Sequence, residues 1–193
     1  MRVCVFAGSS PGARPAYRAA AAALGGALAA RGWGLVYGGG SVGLMGVLAD
    51  ATLAGGGEAI GIIPRALAAR EIAHHHLTEL RVVETMHERK AQMAGLADAF
   101  VALPGGAGTF DELFEIITWA QLGLHAKAIA LLNADDYFAP LLALVAHASA
   151  EGFIHPEDRE LLLVRDQAEA LLDALAAYVP RPRPNKWITS EQI

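Results

Sequence analysis

Cysteine is almost missing from this chain: Cys4 stands alone among 193 residues. An internal disulfide is excluded, and the usage fits a reducing compartment. Between Val3 and Val5 the thiol reads as a buried structural group, not a nucleophile. Lysine is scarce too, with Lys90, Lys127 and Lys186 only. None sits in a setting suited to pyridoxal phosphate, which needs a Schiff-base lysine and an acidic partner for its ring nitrogen. There is no basic block beyond Arg181 and Arg183, and the net charge is −5. That disfavours a nucleic-acid groove, which requires a concentrated basic face. No uninterrupted apolar run approaches the roughly 20 residues that span a bilayer. Small Ala and Gly residues carry the mean hydropathy to +0.35 instead. Met1–Phe6 is too short an apolar run for a secretory leader and reads as a first strand. No membrane or nucleic-acid partner is expected, and the expected location is cytoplasmic.

What is present is a regular alternation. Short apolar strands are expected at Val3–Ala7, Leu35–Tyr37, Ala59–Ile63, Val82–Val83, Phe100–Leu103, Ala128–Leu132 and Leu161–Val164. Helical patterns lie between and after them, at Pro15–Arg31, Leu44–Ala54, Thr85–Ala97, Thr109–Leu122, Tyr137–Glu151 and Gln167–Tyr178. Gly32 reads as a helix stop, and Met86, Met93 and Leu96 are available to the core. Continuously apolar strands alternating with helices predict an α/β fold: a Rossmann-like, doubly wound, mainly parallel sheet with helices on both faces. One nucleotide-binding domain over 1–179 is expected, followed by a Pro-rich tail over 180–193 that suits neither helix nor sheet.

Three glycine-rich loops, at 8–12, 38–43 and 105–108, each leave a strand end. In such sheets ligands bind beyond the carboxyl ends of the strands, so the loops share one rim. Gly38-x-Gly40-x-x-Gly43 has dinucleotide-fingerprint spacing, but it follows the second strand. Ile63-Pro64-Arg65 also stands where an acidic ribose partner belongs. A loop lining a mononucleotide site fits better than NAD or FAD binding. None of the loops ends in Gly-Lys-Ser/Thr, which disfavours P-loop hydrolysis of ATP or GTP. There is no Gly-x-Ser-x-Gly elbow. His74-His75-His76 cannot all face one ion from a regular element and reads as a polar loop, so no metal is expected.

Two segments carry chemistry. Leu103-Pro104-Gly105-Gly106-Ala107-Gly108-Thr109 exposes backbone N–H groups at a helix start, a seat for phosphate. Asp111, Glu112 and Glu115 follow it at once. Thr109-x-x-Glu112 also has capping-box spacing, which gives Glu112 a rival structural role. Met86-His87-Glu88-Arg89-Lys90-Ala91 puts two cations early in a helix, against the helix dipole. Local conflicts of this kind mark functional sites.

Pro104–Glu112 matches a Pro-Gly-Gly-x-Gly-Thr-x-x-Glu signature. Met86–Ala91, Tyr37–Gly46, Val5–Ser10 and Thr118–Gly123 match further segments of the same family in order, over about residues 2–178. By these motifs the chain resembles the LONELY GUY family of cytokinin riboside 5′-monophosphate phosphoribohydrolases, in its shorter, dimeric form. The resemblance implies hydrolysis of the N-glycosidic bond of a purine nucleoside 5′-monophosphate, without a cofactor, by a homodimer. It implies Arg89 and Glu112 as the catalytic pair. As substrate-binding positions it implies Glu71, Lys90, Gly105, Gly106, Ala107, Gly108, Thr109, Phe110, Asp111 and Thr118. Gly39, Gly40 and Met45 join them from the second loop. A non-catalytic nucleotide sensor using the same rim is the alternative.

Overall fold

The structure is a computed structural model, and it describes residues 1–68 and 73–180. Strands β1 (Arg2–Phe6), β2 (Gly34–Tyr37), β3 (Ala59–Pro64), β4 (Glu79–Val83), β5 (Ala99–Ala102), β6 (Ala128–Leu132) and β7 (Leu162–Arg165) form one sheet. Its spatial order is β4-β3-β2-β1-β5-β6-β7, and every pairing is parallel. The helices are α1 (Pro15–Ala30), α2 (Gly43–Ala54), α3 (Arg65–Ala68), α4 (Met86–Leu96), α5 (Ala107–Gln121), α6 (Ala139–Ala150), α7 (Pro156–Arg159) and α8 (Ala168–Ala176). The short helices α3 and α7 lacked a periodic signal in the sequence, while every expected strand and longer helix is present. The segment 181–193, the body of the Pro-rich tail, lies outside the described residues.

Successive strand residues point to opposite faces, and in the five inner strands both faces are buried, while β4 and β7 at the edges are partly exposed. In β1, Val3 and Val5 pack with Leu24 and Leu28 of α1, Leu48 of α2 and Leu171 of α8. Cys4 and Phe6 pack the other way, with Met93 of α4, Leu113 and Ile116 of α5, and Phe138. This double covering explains why the strands read as unbroken apolar runs. The Cys4 thiol is fully buried, and burial pushes its pKa up, so it is a packing group. Met93 is buried as expected. Met86 is 44% exposed because it opens α4 and overhangs the core.

The first helix ends as its sequence requires. Gly32 adopts φ +66°, its N–H donates to Ala29 O (2.9 Å), and the Trp33 N–H donates to Leu28 O (2.9 Å). This double bond satisfies carbonyls that the helix end leaves open, and only a residue tolerant of positive φ makes it without strain.

The chain winds outward from β1 to β4, returns to β5 beside β1, and then winds the opposite way to β7. The crossovers after β1 and β5 therefore diverge and leave a crevice at the carboxyl rim. The first and third glycine loops enter that crevice, and the second leaves β2 next to it.

Candidate active site

Helix α5 begins at Ala107, with Gly106 as its N-cap in extended conformation and no side chain capping it. The N–H groups of its first turn have no partner within the helix. No carboxylate stands in that first turn either, so the positive end of the helix dipole is uncompensated. This corrects the capping-box reading. The glycines let the helix start two residues before Thr109, which places Thr109 inside the helix. Thr109 is 3% exposed and its Oγ1 lies against Gly105. A side chain does cap α4: Thr85 Oγ1 accepts the Glu88 N–H (3.1 Å), and Glu88 in return accepts the Glu84 N–H (2.8 Å).

Glu112 reaches across to α4 instead. Its Oε1 accepts a hydrogen bond from Arg89 Nη1 at 2.7 Å, and the two side chains are 9% and 10% exposed. Arg89 Nε donates to Ile62 O at the end of β3 (3.1 Å). Helix α4 thus aims a cation under the second glycine loop, and α5 aims a carboxylate at it. Both helices lie on the same face of the sheet. Arg89 is thus a buried cation, 8% exposed over the whole residue, and not a solvated surface arginine.

Burial pushes the Glu112 carboxyl above its ordinary pKa, while the Arg89 charge and hydrogen bond pull it back. The pair combines a desolvated carboxylate with a fixed, permanently charged donor. It stands beside a helix start that attracts anions. Such a set can hold an anionic substrate and place negative charge against a carbon that becomes positive.

The remaining candidates divide by position. Gly105, Gly106, Ala107, Gly108 and Thr109 form the loop and first turn of α5. Phe110 and Asp111 follow, with Asp111 turned outward to Lys90 (3.2 Å). Lys90 also donates to Glu115 (2.9 Å). Burial disfavours its charge, but these two bonds prevail and its pKa is raised. Gly39 and Gly40 lie in the second loop. Met45 is half-buried and packs on the α1–α2 side of the sheet, opposite to Arg89 and Glu112. Thr118 lies nine positions beyond Thr109, about 13 Å along the helix axis, and its hydroxyl bonds to Phe114 O. One protomer therefore does not bring Thr118 to the first turn of α5. Glu71 lies outside the described residues.

Two features escaped the sequence reading. The histidine run is not simply a polar loop: His74 is 6% exposed, its Nε2 contacts Asp50 (2.9 Å), and its N–H donates to Gly39 O (2.9 Å). It straps the second glycine loop. Tyr137, just after a 3-10 turn at Ala134–Asp136, donates its hydroxyl to Gly105 O. With Tyr17, Gly8, Ser9 and Gly106 it lines a crevice of about 270 Å³ at the divergence of the crossovers. The aspartates of that turn were the available signal, since Asn and Asp tolerate tight left-handed backbone.

The sequence profile of a family described as "Possible lysine decarboxylase" matches residues 45–175. A protein of Oryza sativa subsp. japonica, "Probable cytokinin riboside 5'-monophosphate phosphoribohydrolase LOGL9", is 54% identical over 179 residues, 93% of this chain and 79% of the rice protein. "Cytokinin riboside 5'-monophosphate phosphoribohydrolase LOG3" of Arabidopsis thaliana is 50% identical over 179 residues, covering 93% and 83%. Among solved structures, the molybdenum cofactor binding protein from Rippkaea orientalis superposes with a TM-score of 0.69 at 22% identity, covering 91% of this chain and 95% of that one. The molybdenum cofactor carrier protein from Chlamydomonas reinhardtii gives 0.68 at 20%, covering 92% and 98%. Likeness at that identity speaks for the fold alone.

Proposed function

Because this chain belongs to the LONELY GUY family of cytokinin riboside 5′-monophosphate phosphoribohydrolases, we infer that it hydrolyses the N-glycosidic bond of a purine nucleoside 5′-monophosphate. Free base and ribose 5-phosphate are the products. The observation that carries the reading within the molecule is the buried Arg89–Glu112 pair beside the open start of α5.

The chemistry follows from charge. As the bond from C1′ to the base nitrogen lengthens, positive charge builds on the ribose. The Glu112 carboxylate opposes that charge and orients the attacking water. The new bond joins the water oxygen to C1′, and the water's proton leaves for the departing base. A guanidinium gives up its proton poorly, so Arg89 is not the acid. Its part is to fix the carboxylate and to attract the anionic substrate. The Gly106–Thr109 backbone seats the 5′-phosphate, and Lys90 adds positive charge at the flank. Binding energy from the phosphate then positions the ribose, so removing it lowers turnover as well as affinity.

Incubation with AMP and with isopentenyladenosine monophosphate, followed by chromatography for free base, tests this. Release of base supports the hydrolase. Tight binding without product replaces it with the nucleotide sensor. Among the described residues the decarboxylase description has no chemical support, since Lys90 is held by two carboxylates and Lys127 donates to Ala94 O (2.8 Å).

The working unit we propose is a homodimer, with residues 1–179 of each protomer as one domain. Thr118, Phe114 and Asp111 share the outward face of α5 by helical spacing, and Phe114 is 39% exposed. Docking of a second copy there would bring Thr118 to the partner's substrate. Light scattering on the eluted protein checks the mass. No helix among the described residues is long and apolar enough to cross a membrane, and we propose a cytoplasmic location.

A further inference from the structure

Asp135 and Asp136 have φ values of 51° and 55°, the two non-glycine residues with positive φ among those described. Two successive residues in that region persist only where their surroundings over-determine them. Here the surroundings are specific. Arg14 Nη1 pairs with Asp135 Oδ2 at 2.6 Å, and Asn133 Nδ2 donates to Asp136 Oδ1 (3.2 Å). The Phe138 N–H donates to Asn133 Oδ1 (2.7 Å). The strained turn delivers the next side chain, Tyr137, whose hydroxyl donates to the carbonyl of Gly105. The Tyr137 ring meets Tyr17 edge-on, with centroids 5.5 Å apart.

The carbonyl of Gly105 and the N–H of Gly106 belong to one planar trans peptide, so they point in opposite directions. Holding the carbonyl toward Tyr137 aims the Gly106 N–H away from it. Gly106 is the N-cap of α5, and its N–H is the first donor of the anion seat. We propose that Tyr137 is a positioning residue for the phosphate seat, acting through the Gly105–Gly106 peptide and held in place by the Asp135–Asp136 turn. This rests on the reading of the α5 start as the site that binds the 5′-phosphate.

The test uses the full chain and the variant Tyr137→Phe, which keeps the ring and removes the hydroxyl. Titration calorimetry with ribose 5-phosphate reads the seat directly, without turnover. The expected result is binding weakened about five- to tenfold, the loss of one hydrogen bond, with a melting temperature close to that of the unaltered chain. In hydrolysis, KM for the nucleoside monophosphate rises more than kcat falls, and the preference for nucleotide over nucleoside narrows. Asp135→Asn, which keeps the backbone tolerance and removes the charge, shifts binding in the same direction by less. It decides the matter if Tyr137→Phe does not fold. Equal affinity for ribose 5-phosphate in variant and unaltered protein overturns the proposal. So does an unaltered protein that fails to bind ribose 5-phosphate, or an equal loss on nucleoside and nucleotide together with a lowered melting temperature. An unaltered protein that binds ribose 5-phosphate yet releases no base refutes the hydrolase reading and leaves the calorimetry to decide the role of Tyr137.

Discussion

The Arg89 guanidinium occupies the space where a side chain on Gly38 would stand: a Cβ built on Gly38 lies 1.9 Å from Arg89 Nη2. The glycine of the second loop is therefore there for an arginine on another helix. From sequence, Gly38-x-Gly40-x-x-Gly43 has dinucleotide-fingerprint spacing and reads better as a loop lining a mononucleotide site. Its first glycine makes room for a cation beneath the rim.

Gly38→Ala follows as the first prediction. The methyl group displaces the guanidinium, and the geometry toward Glu112 is lost although neither residue of the pair is altered. A misplacement of about 1 Å in such a site costs roughly a hundredfold in rate. The expected outcome is that order of loss in kcat/KM for base release, in protein that still melts cooperatively. Activity within threefold of the unaltered protein would show that Arg89 has room to move.

Glu112→Gln separates the catalytic from the structural reading of this carboxylate. Burial raises its pKa, so the folded state binds the proton more tightly than the unfolded chain does. Stability on this account is greatest when Glu112 is protonated, and it falls as pH rises from the ordinary carboxylate range through the raised folded value. A neutral amide of the same shape has no desolvation penalty of its own and still accepts from Arg89, but it leaves the buried guanidinium without its counter-charge. Base release should drop by roughly a thousandfold, with a lowered melting temperature in protein that still unfolds cooperatively. Near-normal activity in the folded variant would reduce Glu112 to a packing role.

The fold was legible because hydrophobicity and punctuation agreed. Val3 to Phe6 and Phe100 to Leu103 are apolar throughout, which only a strand covered on both faces explains, and Gly32 stops α1 where its φ is positive. Of the site, the residue types were legible from local pattern, while the pairing of Arg89 with Glu112 came from the family resemblance alone. Arg89 and Glu112 stand 23 positions apart on different helices, and no local spacing joins them. Thr109 and Glu112 had the spacing of a capping box, but the glycines before them carried the helix start back to Ala107. Thr85 and Glu88, with the same spacing, form a real cap. His74 and Tyr137 were missed for a related reason: their contacts, Asp50 and Gly105, are tertiary. A short-range pattern can mark the turn at Asp135 and Asp136, but not the contact it delivers.

The pH dependence of hydrolysis should carry the mark of burial. If the reactive form is the Glu112 carboxylate, kcat/KM falls as pH drops through its pKa in the free enzyme. Burial has raised that pKa, so the acidic limb lies above the usual carboxylate range. The Arg89 charge is the main force lowering it. Arg89→Met should therefore move the limb to still higher pH as well as reduce its height. A limb at the ordinary glutamate value in both proteins would assign the titration to another group.

A last prediction concerns stability and sits away from the rim. His125, between α5 and β6, uses both ring nitrogens: Nε2–H donates to Ile116 O (3.0 Å), and Nδ1 accepts the Lys127 N–H (3.2 Å). Only the neutral ring can do both. Burial lowers its pKa, and a proton added at Nδ1 would set one donor against another. The unfolded chain takes up that proton more readily than the folded one. Stability from this group is thus fully present above the unfolded value of about 6.5 and is lost as pH falls below it. Thermal unfolding followed from pH 8 to 5 should show a decline in melting temperature setting in near pH 6.5. Losing one buried hydrogen bond costs on the order of 1 kcal/mol, or about 2–4 °C for a chain of this size. His125→Gln, which keeps a donor and an acceptor but cannot titrate, should flatten that part of the curve. An unchanged slope in the variant would place the acid sensitivity elsewhere, with the other histidines as the groups to test next.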